Sequence, residues 1–377
     1  CQYFTNQENN IVIRNRSTLT LIPNIDMMKI NIESGQLVHI QTNSLGFRDH
    51  EPAIPKPKGI SRIAIIGDSY VDAIQVESEH RFSDILEQQL ENETNRNNDW
   101  EVINFGVMST GPLDQHLRYL HHIRQCEPDI VILCFGMEQD LGGSDLQTSR
   151  TRRNTLKERS PTELQEQAFV GFKSFLDSNI KLYEWQKARV DFLKHRLVPI
   201  FNYRSLSRPI HHNDTYYFDP LTTEQEQSIN QLAEMLLKFR SDVVADSAIF
   251  LIVGMPTGIT VYDDTWQALV DNAHEQGYTQ QMSRNQPIEI LSSICEKVGI
   301  PLLPLELQFQ KGYESGELDS KQNIHYNRKG HLTPFGHEVV ADSLYKFLQS
   351  QPWWNQPAEN SLQPAQHIAV EPTNEPL

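Results

Sequence analysis

From residue 61 onward the chain alternates short apolar runs with amphipathic stretches. The runs at 63–66, 102–105, 130–135, 249–253 and 300–305 are bounded by turn residues and predict buried strands. Pro301 and Pro304 weaken the last of these, because proline cannot donate to a sheet ladder. Between the runs, Phe82, Ile85, Leu86 and Leu90 recur at helical spacing, as do Leu113, Leu117 and Leu120, and Leu291, Ile294, Cys295 and Val298. Gly299 is placed to end the third of these helices in a left-handed cap. Strands alternating with helices of this length predict a parallel sheet covered on both faces, an α/β architecture of about five strands.

Three regions fall outside this rhythm. Residues 1–60 alternate polar and apolar positions, as in Ile11-Val12-Ile13 and Leu19-Thr20-Leu21-Ile22, and predict short strands or an extended N-terminal arm. Pro52, Pro55 and Pro57 form a stiff connector from that arm into the α/β domain over 61–350. Residues 150–245 read as a helical insertion, with helical pattern at 178–197 and 222–240, that caps the sheet edge carrying the site. Within it, His211-His212-Asn213-Asp214-Thr215-Tyr216-Tyr217 reads as a solvated loop. Residues 351–377, rich in Pro, Gln, Asn and Glu, predict a disordered tail.

Composition narrows the function classes. The chain has 377 residues and a formal net charge of −16, which argues against a nucleic-acid or anionic-membrane surface. One basic cluster, Arg150, Arg152 and Arg153, reads as a solvated loop. No apolar run is long enough to span a bilayer. Cys126, Cys134 and Cys295 lack metal-ligand spacing, and the last two sit in apolar segments as buried thiols. Cys1 is a candidate lipidation site, which would tether the chain to a membrane. The alternative is that the chain starts there after an anchor; either places it outside the cytoplasm.

The chemistry centres on Gly67-Asp68-Ser69-Tyr70, which follows the first buried run directly. A strand stopping at this turn presents the Ser69 hydroxyl at the carboxyl end of the sheet, where open α/β sheets build their sites. A serine hydroxyl needs an adjacent base. His331 lies in His331-Leu332-Thr333-Pro334-Phe335-Gly336-His337, on the loop entering a final helix that Thr333 caps and Pro334 begins. His337 falls inside that helix as a packing residue, and His325 is a rival base. Asp68 is expected to fix the turn through backbone hydrogen bonds.

These residues resemble the GDSL/SGNH hydrolase family. Gly67-Asp68-Ser69-Tyr70 matches its first block, Asn104-Phe105-Gly106-Val107 its second, and His331 with the following helix its fifth. Asn43-Ser44-Leu45-Gly46-Phe47-Arg48-Asp49 resembles a leader of envelope-associated bacterial members. The resemblance implies a flavodoxin-like three-layer α/β/α sandwich. It implies Ser69 as nucleophile, His331 as base, and the amides of Ser69 and Gly106 as oxyanion donors, with Asn104 and Asp140 structural at the site. Two places depart from the pattern. Met137-Glu138-Gln139-Asp140 stands where the family has Gly-x-Asn-Asp, leaving the longer Gln139 as oxyanion donor. Arg328 and Lys329 stand where the family's Asp precedes the histidine, and Asp319 is too distant in sequence to replace it. The imidazole is then held by a backbone carbonyl in a Ser–His dyad, or the site is impaired.

The expected function is therefore a serine esterase or O-acyltransferase acting on an acyl ester of a small molecule or carbohydrate, acetyl included, with no cofactor and no metal. The competing reading is an impaired SGNH-like module that binds a glycan or a protein partner in the cell envelope. A third is an assembly component contacted through the insertion and the arm.

Overall fold

The computed structural model describes residues 14–15, 19–31, 33–92, 99–142, 210–319, 322–328 and 330–354. An N-terminal hairpin of β1 (Asp26–Ile30) and β2 (Leu37–Gln41) precedes the main sheet. The sheet strands are β3 (Ile60–Gly67), β4 (Asp99–Gly106), β5 (Ile130–Gly136), β6 (Ile249–Met255) and β7 (Leu302–Pro304). They lie in the order β7-β6-β5-β3-β4, and every pairing is parallel. This is the doubly wound, flavodoxin-like order, whose switch point lies between the first and third strands of the sheet, here β3 and β5. The three-layer sandwich implied by the resemblance is the architecture observed.

The helices are α1 (Ser69–Asp72), α2 (Phe82–Glu91), α3 (Pro112–Arg118), α4 (Met137–Asp140) and α5 (Thr223–Ala245). They continue with α6 (Gly258–Val261), α7 (Asp263–Glu275), α8 (Gln286–Val298), α9 (Leu305–Ser315) and α10 (Pro334–Gln349). Two apolar cores form on opposite faces of the sheet, because residues alternate in direction along each strand. Ala64 and Ile66 face one core; Ile63 and Ile65 face the other. Gly299 ends α8 at φ +68°, as its position predicts.

Four expectations change. The strand expected over 300–305 is reduced to Leu302–Pro304, and Leu305 already begins α9. The expected apolar face of α3 is not its inner one: Gln115, His116 and Arg118 are buried, while Leu113 and Leu117 are half-buried. Arg118 turns inward because its guanidinium supplies donors to buried backbone carbonyls. Its Nη1 donates to Gly67 O at 3.1 Å and Phe105 O at 3.0 Å, and its Nε to Leu19 O at 2.9 Å. The stretch around 211–217 is not a solvated loop. It is a short 3-10 helix, His212–Tyr217, with Asp214, Tyr216 and Tyr217 buried. Residues 351–354, expected in the tail, are described, and Trp354 is buried and stacks on Trp100 at 5.1 Å. The helix expected over 178–197, the basic cluster at 150–153 and Cys1 lie outside the described residues.

The leader over 43–49 locks the arm onto the domain. Asn43 Oδ1 accepts the amides of Leu45 and Phe47, and Phe47 packs edge-on against Phe105 at 4.8 Å. Buried Arg48 donates to the carbonyls of Ala73 (2.5 Å), Val76 (2.8 Å) and His39 (3.1 Å), tying β2 to the loop that follows α1.

Candidate active site

The strand β3 ends at Gly67, and Asp68 caps α1 by accepting the Tyr70 amide at 2.9 Å. That turn sets Ser69 as the first residue of α1, above the switch point. His331 approaches from the loop before α10, whose N-terminus Thr333 caps by accepting the Gly336 amide at 3.0 Å. His331 Nε2 lies 3.0 Å from Ser69 Oγ, so the two residues expected to act together are in hydrogen-bond contact.

The third member is Glu33, which sequence reasoning missed. It sits at the tip of the β1–β2 hairpin. Its Oε1 is 2.6 Å from His331 Nδ1, and its Oε2 accepts the His331 amide at 2.8 Å. The imidazole is therefore held by a carboxylate and not by a backbone carbonyl. With Nδ1–H donating to Glu33, neutral His331 has its Nε2 lone pair facing the Ser69 hydroxyl. Arg328 does not oppose this arrangement. Its guanidinium points away, donating to Asp264 Oδ2 at 2.8 Å and lying over the Tyr262 ring at 5.0 Å. Lys329 lies outside the described residues.

The electrostatics follow from these contacts. Burial alone would depress the His331 pKa, but the hydrogen bond and charge of Glu33, with Asp68 and Asp72 beyond, outweigh it and the net shift is upward. Glu33 shows the converse: burial raises its pKa, His331 lowers it more, and the carboxylate is held below its usual range. The rival His325 is fully buried, and Nε2 pairs with Pro256 O at 3.0 Å. Burial pushes its pKa down to about 4, so it stays neutral. His337 packs in α10, stacked on Phe82 at 5.8 Å, and its Nδ1 accepts the Phe82 amide.

Beneath the nucleophile lie two buried carboxyls, Asp68 and Asp140. Asp140 Oδ2 accepts the Gly136 amide at 2.8 Å. Burial pushes both acids upward, and the charge of Asp68 pushes Asp140 further. Asn104 braces α1 from the neighbouring strand: its Nδ2 donates to Val71 O at 2.6 Å and its Oδ1 accepts the Gly106 amide at 2.9 Å.

That last bond bears on the oxyanion. The Gly106 N–H expected to hold it is directed at Asn104 instead. Gly106 serves a steric purpose: a Cβ there would meet the backbone of Val71 and Asp72, so α1 packs this close only against glycine. The Ser69 N–H, first in α1, is one of the amides that have no acceptor within their own helix. The Gln139 side chain lies outside what the structure describes. Among the described residues no group of His, Cys, Asp and Glu is arranged to hold a metal ion.

No family model matches the chain. No curated protein matches it either. Several solved structures align with it. An acetyl xylan esterase aligns at 12% identity and TM-score 0.41, over 76% of this chain and 98% of its own. A lipase/acylhydrolase from Enterococcus faecalis aligns at 11% identity and TM-score 0.40, over 77% and 95%. A catalytic mutant of an acetylxylan esterase from Geobacillus stearothermophilus aligns at 10% identity and TM-score 0.38, over 76% and 93%.

Proposed function

We propose that this chain is a serine esterase or O-acyltransferase of the GDSL/SGNH type, acting on an acyl ester of a neutral carbohydrate through an acyl-serine intermediate. The observation that carries this reading is the continuous hydrogen-bonded chain from Ser69 Oγ through the His331 imidazole to Glu33. In the first half-reaction Ser69 Oγ attacks the ester carbonyl and His331 Nε2 takes its proton. Glu33 stabilises the imidazolium that forms. The Ser69 N–H donates to the oxyanion of the tetrahedral intermediate. Collapse breaks the ester C–O bond, and His331 returns the proton to the departing alkoxide. In the second half-reaction a water or a sugar hydroxyl gives its proton to His331, attacks the acyl-serine, and Ser69 leaves reprotonated.

Two features support a neutral carbohydrate. Glu33 keeps its carboxylate charged in the site on a chain of net charge −16, which disfavours an anionic substrate. Half-buried Tyr70 lies beside the site, its ring 5.6 Å from that of His331, and aromatic side chains are ones on which sugars stack. An extracytoplasmic location, with or without a tether at Cys1, accompanies this reading. N-terminal mass analysis and cell fractionation test it.

The competing reading of an impaired binding module rests on the missing acid and on the altered third block at Gln139; Glu33 answers the first of these. The test is incubation with 4-nitrophenyl acetate and with an acetylated oligosaccharide, with and without a non-acetylated oligosaccharide acceptor, followed by mass spectrometry. Ser69-dependent release or transfer of acetate supports the reading. Folded protein that cleaves neither ester and leaves both oligosaccharides unchanged contradicts it.

A further inference from the structure

Glu33 reaches His331 from outside the α/β domain, so something must hold the hairpin tip in place. The hairpin buries little: Val38 and Ile40 are the fully buried members of its own small cluster. Two-stranded hairpins are marginal alone, so polar ties must decide where this one rests.

Those ties converge on Asn31, which is 5% exposed. Its backbone N–H donates to Gln36 O at 2.8 Å and its carbonyl accepts the Gly35 amide at 2.7 Å, which closes the tip. Its side-chain Oδ1 accepts the Glu33 amide at 2.8 Å, fixing the backbone that carries the acid. Its side-chain Nδ2 donates to Gln75 O at 2.6 Å, in the loop that follows α1. One side chain therefore joins the acid's own peptide unit to the segment that follows the nucleophile. Beside the acid, Ser34 also hydrogen-bonds the Tyr326 side chain, and the other hairpin ties lie farther from Glu33. His39 N donates to Glu77, Arg48 binds the His39 carbonyl, and Lys29 sets its charge toward Asp72.

We propose that Asn31 is a positioning residue for the reaction, registering the hairpin tip against the loop after α1 so that both Glu33 oxygens meet His331. This rests on the assignment of Ser69, His331 and Glu33 above, and it acts wholly through Glu33. Removing Asn31 then leaves the nucleophile and base in place and releases the acid.

The readout is the His331 imidazole. Its ionisation senses Glu33 from the hairpin, Asp68 and Asp72 from the nucleophile turn and α1, and neutral His325 from its own loop. Side-chain NMR titration of the full chain is run on the wild type, Asn31→Asp, Asn31→Ala, Glu33→Gln and the double variant Asn31→Ala/Glu33→Gln. Asn31→Asp keeps the size and Oδ1 of the native residue but loses the donor to Gln75. It guards against a variant that simply fails to fold.

The expected result is a His331 pKa that falls in both Asn31 variants toward its value in Glu33→Gln, with no further fall in the double variant. Ester turnover should drop about 10- to 100-fold in kcat, with KM little changed, and Asn31→Ala should cost nothing more when added to Glu33→Gln. An unchanged His331 pKa in a folded Asn31→Asp chain overturns the proposal, as does a double variant whose losses add. If the wild type turned over no ester, the functional reading would fall, while the titration would still decide whether Asn31 positions Glu33.

Discussion

Glu33 and His331 stand 298 residues apart in the chain and 2.6 Å apart in the site. The family pattern places the orienting acid just before the histidine. Here it comes from the other end of the chain, and the positions before His331 belong to a loop with Asn327 and Arg328 in the left-handed region. Such a loop returns the backbone sharply from His325 to His331, leaving the outer side of the imidazole open to the hairpin tip.

Glu33→Gln should lower kcat by about 10²- to 10⁴-fold, since the amide keeps the shape but neither fixes the tautomer nor stabilises the imidazolium. The pH profile should move as well. His331 must be neutral to accept the Ser69 proton, so turnover rises with pH through a pKa that Glu33 holds above 6.5. Without the carboxylate that pKa falls, and the acidic limb moves to lower pH while the plateau drops. Steady-state rates from pH 5 to 9 on both proteins check this.

Gly330→Ala should act through the same contact. A Cβ at Gly330 would fall inside the contact distance of Glu33 Oε2 and 2.9 Å from Tyr326 O, so the carboxylate must back away. Activity should fall toward that of Glu33→Gln, while thermal unfolding shifts by no more than about 1 kcal/mol because the displaced tip is small. Turnover and melting measured on the same preparation separate the two effects.

Arg118→Met should be costly in stability. It removes the buried donor to the carbonyls of Gly67, Phe105 and Leu19; Gly67 O keeps the Val107 amide, so at about 1–3 kcal/mol for each of the other two the loss should reach about 2 kcal/mol or more. Urea unfolding measures it. A loss below about 1 kcal/mol would mean that the strand-end carbonyls find other donors.

Glu306→Gln should stabilise the fold at neutral and alkaline pH only. Glu306 is fully buried at the start of α9, and burial pushes its pKa up to about 8 from 4.5. Because the folded-state value is raised, stability falls as pH rises from about 4.5 to about 8 and is flat beyond. The amide removes this cost, which at pH 7 is on the order of 3 kcal/mol. Melting curves should therefore coincide near pH 4 and separate near pH 8.

Ser69 and His331 were legible in the sequence because each sits where a local pattern changes, a buried run meeting a Gly-Asp-Ser turn and a Thr-Pro helix start. The parallel sheet follows from the same rhythm, and its flavodoxin-like order from the family resemblance. Glu33 was not legible, since nothing in a hairpin's alternation says which distant loop its tip will touch. Gly106 was assigned an oxyanion role from its block, whereas its amide direction depends on the Asn104 rotamer. The inner face of α3 was misread because leucines at helical spacing were taken as the buried face. The deciding force is the set of hydrogen bonds that Arg118 makes to the carbonyls of Phe105, Leu19 and Gly67. The segment at 211–217 was read by its polar residues, yet Tyr216 and Tyr217 drive it inward. Pro301 and Pro304 shortened β7 as their missing N–H groups require.

The most direct test is intact-mass analysis after exposure to a fluorophosphonate, comparing wild type with Ser69→Ala, His331→Ala and Glu33→Gln. The account predicts a single adduct on the wild type, none on Ser69→Ala or His331→Ala, and slowed labelling of Glu33→Gln. Folded wild type that takes up no adduct, or Ser69→Ala that labels like wild type, would contradict it.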